Sequence, residues 1–310
     1  MLRERMVEVS VVIPSYNSAQ YLPQAIDSVL GQSYCGAFIQ THRDLEVLVV
    51  DDGSTDDTPN VMQRYGAPVR YIWQPNSGVA VARNNGIRES RGRYVAFLDA
   101  DDTWLEDKLE KQLAALEANA ECGLCYSAYT AVGLDLSPLY FGRSDRRGTT
   151  LEDLLLRGNV VGSICSVLCE RRLLAEAGGF DPSLSQCADW DLWVRLAALT
   201  EFIYLDSELV TYRQHETNMS RNAPLLERDS IRVLEKGFAM PALGNDLREH
   251  RSRAFGRNYM VLAGTYFHAG LYGDFVRCAA LAISLDTRQL GHLLGFPARA
   301  LKRFQPGPAF

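Results

Sequence analysis

The chain has 310 residues, 47% of them hydrophobic, enough to bury one large core or two smaller ones, which excludes a disordered chain. Its formal net charge of -6 offers no basic field to nucleic acid and excludes that partner class. No apolar run approaches the ~18 residues of a membrane span, and "MLRERMVEVSVVIP" reads as a charged lead-in to a strand rather than a secretory leader, so the expected compartment is the cytoplasm.

Strand and helix signals alternate through the first ~130 residues, the pattern of a mostly parallel sheet flanked by helices. "VSVVIP" is a first strand stopped by Pro14, and "SAQYLPQAIDSVLGQ" follows with helical spacing at Leu22, Ile26, Val29 and Leu30. "LEVLVVDDGS" is a second strand ending in acids, and "STDDTPNVMQRY" opens a helix with capping residues. "VRYIWQ", "RYVAFLDADD" and "CGLCYSAY" read as further strands, separated by the helices "SGVAVARNNGIRES" and "LEDKLEKQLAALEAN". After Gly133 the alternation breaks down. "SPLYFGRSDRRGTT" is loop-like, "GSICSVLCERRLLAEAGGFD" reads as strand, helix and Gly-Gly turn, and "ADWDLWVRLAAL" starts a helix with acids in its first turn. "EFIYLDSELVTYRQH" reads as a late strand pair. Beyond about Ser220 the expectation is helical, with "SRAFGRNYMVLAGTYFHAG" and "YGDFVRCAALAISL" forming an antiparallel pair. Cys122, Cys125, Cys165 and Cys169 have a spacing that could hold zinc, but the first pair lies in a strand-like run where free Cys behaves as a small hydrophobe.

Two early strands end in acids: Asp51 and Asp52 on one, Asp99, Asp101 and Asp102 on the other. Ligands of open parallel sheets gather at the carboxyl ends of the strands, so these acids are expected to share a cleft. Asp56 and Asp57 fit helix caps instead. "DADDT" fits the D-x-D-x-T of a haloacid-dehalogenase-type phosphatase with Asp99 as nucleophile, but it sits on the fourth strand and lacks the later Lys and acidic pair such chemistry needs. The other reading is a D-x-D that holds a divalent cation for a diphosphate leaving group.

The ordered set "VSVVIPSYN", "VVDDGSTDDT", "NSGVAVARNNGI", "YVAFLDADD", "GGFD", "ADWDLW" and "YRQHETNMS" resembles the glycosyltransferases of family 2, from about Val9 to Ser220. The resemblance implies a GT-A fold, an α/β architecture with a Rossmann-like, mostly parallel sheet flanked by helices. Residues 1–220 would form that domain, with a nucleotide-sugar half to about 130 and an acceptor half from about 131, and 221–310 a C-terminal helical region. It implies inverting, metal-assisted transfer (Mn²⁺ or Mg²⁺) from a nucleoside-diphosphate sugar, most often UDP-linked, to a glycan or lipid-linked hydroxyl in surface polysaccharide or glycoconjugate synthesis.

Residue by residue, the resemblance places Pro14, Tyr16 and Asn17 at the nucleotide. It gives Asp52 the uracil N3–H and Arg83 and Arg213 the phosphates. Asp101 becomes a metal ligand, Asp99 meets the ribose or the metal, His215 reaches the metal or diphosphate, and Asp102 supports the site. Asp189 aligns with the catalytic base, with Asp191 as runner-up; the acid that precedes this base in the family is Ala188 here. Trp190 and Trp193 are expected to line an acceptor pocket or pack in the core. A non-catalytic nucleotide- or carbohydrate-binding module would be expected to lack Asp189 or the D-x-D. The tail "GHLLGFPARALKRF" sets Leu293, Leu294, Phe296, Leu301 and Phe304 beside Arg299, Lys302 and Arg303, a composition suited to peripheral contact with the cytoplasmic membrane face, to docking of the last helix, or to a homodimer contact.

Overall fold

The computed structural model describes residues 7–33, 45–144, 148–215, 222–241 and 243–295. It divides into two compact units, Met1–Leu154 with Asn159–Asn218, and Leu155–Gly158 with Met219–Phe310.

The first unit is built on β1 (Val9–Ser15), β2 (Leu45–Asp51), β3 (Val69–Trp73) and β4 (Tyr94–Phe97), all paired in parallel in the order β3-β2-β1-β4. Every residue of β1 and β2 is buried. Strands covered on both faces carry unbroken Val, Ile and Leu rather than an alternation, and each such side chain contributes about 1.5–3 kcal/mol when withdrawn from water. The crossovers carry α1 (Leu22–Leu30), α2 (Thr58–Met62) and α3 (Val79–Glu89). α1 buries Leu22, Ala25, Ile26 and Val29, the helical spacing seen in the sequence. α3 lies close on β1: a Cβ at Gly86 would stand 2.3 Å from Cγ1 of Val12, so only glycine admits that approach.

Beyond β4 the sheet is mixed. After the short β5 (Thr103–Trp104) come α4 (Lys108–Ala118), β6 (Cys122–Val132), β7 (Pro138–Gly142), β8 (Gly148–Thr149) and α5 (Leu151–Arg157). A 3₁₀ turn at Ile164–Ser166 leads into β9 (Leu168–Glu170), α6 (Arg171–Glu176), α7 (Ala188–Leu196) and β10 (Glu201–Arg213). β9 is antiparallel to both β4 and β6, and so joins the four parallel strands β3-β2-β1-β4 to the parallel pair β6 and β10.

The stretch expected to be a loop contains β7, antiparallel to β6, and β8, antiparallel to β10. β7 is an edge strand with Leu139, Tyr140 and Phe141 all exposed, so no one-sided burial marks it in the sequence. The expected late strand pair is one strand, β10. Its register on β6 slips between Leu205 and Glu208, where "DSE" offers no glycine, proline or asparagine to reverse the chain and is taken up as an irregularity. Cys125, Cys165 and Cys169 are buried and Cys122 is half-buried. Among the described residues these four form no metal cluster, in keeping with packing.

The second unit is helical: α8 (Ala223–Ala239), α9 (Asn245–Glu249), α10 (Arg251–His268), α11 (Tyr272–Leu285) and α12 (Gln289–Leu294). Asn222 caps α8 by accepting from the Leu225 amide at 3.1 Å. α10 and α11 are joined by a short turn through Gly270 and share a core of Leu262, Ala263, Tyr266, Cys278 and Ala279. Arg277 and Tyr266 both bond Glu227, which ties α11 and α10 to α8. Of the tail expected to anchor or dock, Gly291 to Leu294 end α12 and Gly295 follows it, and the residues from Phe296 onward lie outside the described ones.

One residue of α4 breaks the apolar pattern from inside. Lys108 is fully buried, with Nζ 3.9 Å from the Trp104 ring centre and 2.7 Å from Oε1 of Gln112. Burial pulls its pKa from 10.5 down to about 7. Between those values the unfolded chain holds a proton that the native chain has released, so this residue's contribution to stability rises with pH through that window and is lowest below it. Lys108→Met is therefore expected to compare best with the wild type below about pH 7 and to lose ground steadily toward pH 10.5, read from urea midpoints across that range.

Candidate active site

The carboxyl ends of β1 and β2 form the first wall. Asp51 is buried and accepts from the Ser54 amide at 2.8 Å and the Tyr71 hydroxyl at 2.5 Å, so it holds the turn rather than facing a ligand. Asp52 accepts from Nε2 of Gln74 at 2.7 Å, the Ser77 amide at 2.9 Å and the Gly78 amide at 2.8 Å, just ahead of α3. An ionised carboxylate has about four acceptor sites, so the chain itself uses most of those on Asp52. Pro14 is buried in β1 opposite Val50. Asn17, at φ +50°, accepts from the Thr55 amide at 2.8 Å and so clamps the two strand ends together. Of the three residues expected at the nucleotide from this strand, Tyr16 presents its ring, 51% exposed.

The three acids after β4 each have a different partner. Asp99 accepts from Nη2 of Arg83 at 2.7 Å. Asp101 meets Nε2 of His215 at 2.8 Å. Asp102 accepts from the Arg213 amide at 2.8 Å and lies 3.1 Å from the Cys165 thiol. Burial and the neighbouring carboxylates push Asp102 well above the ordinary carboxylate range. Burial, reinforced by Asp99, also raises Asp101, against the pull of His215. Arg83 is itself buried; desolvation disfavours its guanidinium, and the charge and hydrogen bond of Asp99 together with the Asp189 charge outweigh it and raise its pKa. Arg213 donates from Nη2 to Gln24 at 2.8 Å and lies 4.8 Å over Tyr21, whose other neighbour is the stacked His215 ring at 5.7 Å. The end of β10 is thereby fixed to the start of α1.

Asp189 opens α7 facing the same cluster, within the fields of Arg83 and Asp99. Its surroundings desolvate it and raise its pKa. The Trp190 amide, Arg83 and Asn159 oppose that rise. Asn159 donates to Oδ2 of Asp189 at 3.0 Å. Nothing in the sequence pattern singles out Asn159, a loop residue between Gly158 and Gly162. Asp191 faces away from this cluster, into an ion pair with Arg195 at 2.7 Å. Arg195 also bonds the carbonyls of Ala177 and Gly179, so Asp191 secures the Gly-Gly turn. Trp190 and Trp193 are core residues, 5% and 0% exposed, and Trp190 donates to the Leu154 carbonyl. The "NNG" of α3 reaches the same turn: Asn84 both donates to and accepts from the Phe180 backbone at 2.8 Å.

By their chemistry Asp99, Asp101 and His215 suit a hard divalent cation, although among the described residues the ligand atoms that converge within 4.8 Å are those of Asp99, Asp102 and Cys165. The Asp99, Asp101 and His215 side chains keep 30%, 27% and 14% exposure, so a cation can reach them. Carboxylate oxygens with one imidazole suit Mn²⁺ or Mg²⁺. The tighter group of Asp99, Asp102 and Cys165, with ligand atoms within 4.8 Å, includes two buried members already bonded to each other.

The family model described as Glycosyl transferase family 2 matches residues 10–175. TuaG of Bacillus subtilis, assigned to teichuronic acid biosynthesis, is 34% identical over 220 residues, which cover 69% of this chain and 82% of that relative. The mannosyltransferase PcManGT from Pyrobaculum calidifontis, solved with GDP-Man and Mn²⁺, superposes with a TM-score of 0.62 at 20% identity over 96% of this chain and 81% of that one. S. aureus TarS 1–349, solved with UDP-GlcNAc, gives 0.59 at 15% identity over 89% and 91%. At these identities the structural likeness speaks for the GT-A fold.

The partners of Asp102 and Asp101 separate a buried strut from a partly exposed acid. Asp102→Ala, which leaves the Arg213 amide without its acceptor, is expected to lose about 1–3 kcal/mol in urea unfolding. Asp101→Ala, at a partly exposed position, is expected to stay within about 0.5 kcal/mol of wild type.

Proposed function

The chain belongs to glycosyl transferase family 2, and from that premise we propose that it moves a sugar from a nucleoside-diphosphate donor to an acceptor hydroxyl, with inversion at the anomeric carbon. The observation that carries this reading is the position of Asp189 in the field of the Arg83–Asp99 pair, at the D-x-D turn whose Asp101 pairs with His215. A base and a diphosphate-binding set in one cluster are what a single displacement needs.

Asp189 takes the acceptor proton as the acceptor oxygen bonds to the anomeric carbon. The bond from that carbon to the diphosphate oxygen breaks, and its electron pair leaves with the nucleotide. Arg213, braced by Gln24 and Tyr21, offers a fixed positive charge to the departing diphosphate. Asp99, Asp101 and His215 would hold a divalent cation, which when bound neutralises charge on that leaving group. Arg83 orients Asp99 from behind. Tyr16 is exposed at the β1 end, where a base can stack on it.

For the donor we favour a UDP-sugar. The acceptor site left on Asp52 suits one imide N–H, as in uracil, and disfavours a base without it. TarS and PcManGT, which hold UDP-GlcNAc and GDP-Man, show that the fold serves either nucleotide. The likeness to TuaG supports a growing surface polysaccharide or its lipid-linked precursor as acceptor. Among the described residues no helix is long and apolar enough to cross a membrane. A lipid-linked acceptor would bring the protein to the cytoplasmic membrane face as a peripheral enzyme.

The phosphatase alternative is disfavoured by the 2.7 Å pairing of Asp99 with Arg83, which holds the carboxylate as an anion partner and weakens it as a nucleophile. A binding-only module is disfavoured by the intact acid set.

Thermal shifts with UDP, GDP, dTDP and CDP, each with and without Mn²⁺, test the donor side, since a ligand of the native state raises stability by RT ln(1 + [L]/Kd). The largest shift is expected for UDP with Mn²⁺, and Asp101→Ala should erase the metal-dependent part. A metal-independent, UDP-indifferent response would overturn the donor assignment. On the acceptor side, Asp189→Asn is expected to lose at least about 10²-fold in kcat with the UDP shift unchanged. A large loss in Asp191→Asn without one in Asp189→Asn would reverse the two roles.

A further inference from the structure

Asp189 sits in a demanding place for a base. It is held among packed side chains, which disfavour its anion, and faces Arg83 from α3 and Asp99 from the end of β4. One oxygen, Oδ1, accepts from the Trp190 amide of its own helix at 2.7 Å. The other, Oδ2, accepts from Nδ2 of Asn159 at 3.0 Å, the one side-chain hydrogen bond that Asp189 makes among the described residues. The same Nδ2 lies 3.5 Å from the Gly162 carbonyl, so both acceptors require the amide nitrogen, not the oxygen, to face Asp189. The Asn159 carbonyl oxygen is left buried with no donor. A buried acceptor without a partner is costly. The rotation that would give this amide another arrangement turns an oxygen toward a carboxylate. The arrangement therefore favours an unprotonated Oδ2 on Asp189 over a carboxyl O–H at that oxygen.

We propose that Asn159 is a positioning residue for the transfer reaction: it holds Oδ2 of Asp189 through its amide and keeps the carboxylate in the proton-accepting form. When Asp189 has taken the acceptor's proton, a carboxyl O–H on Oδ2 faces an N–H donor, an unfavourable pairing that a half-turn of the amide relieves by presenting the orphaned carbonyl. Asn159 thus bonds the anion with one end and the acid with the other, and return to the starting orientation follows proton release. The loop glycines Gly158 and Gly162, at φ +88° and +79°, give the segment the backbone path that places Asn159 against α7.

This rests on Asp189 being the base, and the experiment separates the two claims. Rates are measured against pH with saturating donor for wild type, Asn159→Ala, Asn159→Asp and Asp189→Asn, and for Asn159→Ala in the Asp189→Asn background. Loss of the amide donor disfavours the anion, so the acidic limb of the kcat profile should move to higher pH in Asn159→Ala. It should move further in Asn159→Asp, where a second carboxyl of the same shape replaces the donor. At neutral pH Asn159→Ala should lose about tenfold in kcat, with the donor-induced thermal shift and donor KM unchanged. In the Asp189→Asn background the same substitution should do nothing further, because the two act as a unit. An acidic limb that stays in place in Asn159→Asp, with the protein folded, overturns the positioning role while leaving Asp189 as base. Wild-type rates in Asp189→Asn overturn the base itself. If Asn159→Ala melts below the assay temperature, the near-isosteric Asn159→Asp decides alone.

Discussion

The Asp102 carboxylate, 1% exposed, is the constraint from which the rest of the site hangs. It sits in the turn after β4 and reaches two other parts of the chain at once, the Arg213 backbone and the Cys165 thiol. A polar group this deep is tolerable only when its partners are in place. Its burial thus sets the register between the D-x-D turn, the 3₁₀ turn before β9 and the end of β10. Arg213 and His215 have their positions because Asp102 fixes the backbone that carries them.

Around that strut the charges sort themselves by pairing. Three carboxylates within four residues would repel one another in a common pocket, and burial would add to the cost. Each instead has its own counter-group from a distant element: Arg83 from α3, His215 beyond β10, and the Arg213 amide. The division leaves Asp99 and Asp101 partly open and Asp102 closed. One short motif thereby supplies two partly exposed acids and one that holds the structure.

What was legible in the sequence was what a fully buried strand or an amphipathic helix writes into its residues. β1, β2 and β4 read as apolar runs because both faces are covered, and α1 reads as a helix because its buried residues recur at helical spacing. β7 was not legible, because an edge strand exposed on both faces carries no contrast. Asp189 and Asp191 could not be ranked by position alone: both fall in the first turn of α7, and the difference is made by Arg195, a partner one helical turn beyond Asp191. Asn159 left no trace, since a hydrogen bond across 30 residues between a loop and a helix start has no periodicity. Lys108 and Gln112 lie in a helix legible in the sequence, but nothing there marks them as the buried polar pair they form.

The bond from Arg213 to Gln24 spans 189 residues of sequence. It joins the last strand of the unit to its first helix, and Tyr21 lies between Arg213 and His215. During synthesis the ribosome delivers β1 to β4 long before β10, and contacts of such separation form late because their loop-closure entropy must be met first. The nascent chain therefore holds strands β1 to β4 well before it holds Arg213 and His215. Completion of the candidate site coincides with completion of the unit, so a half-made chain carries Asp101 and Asp102 without His215 and the Arg213 amide that pair with them.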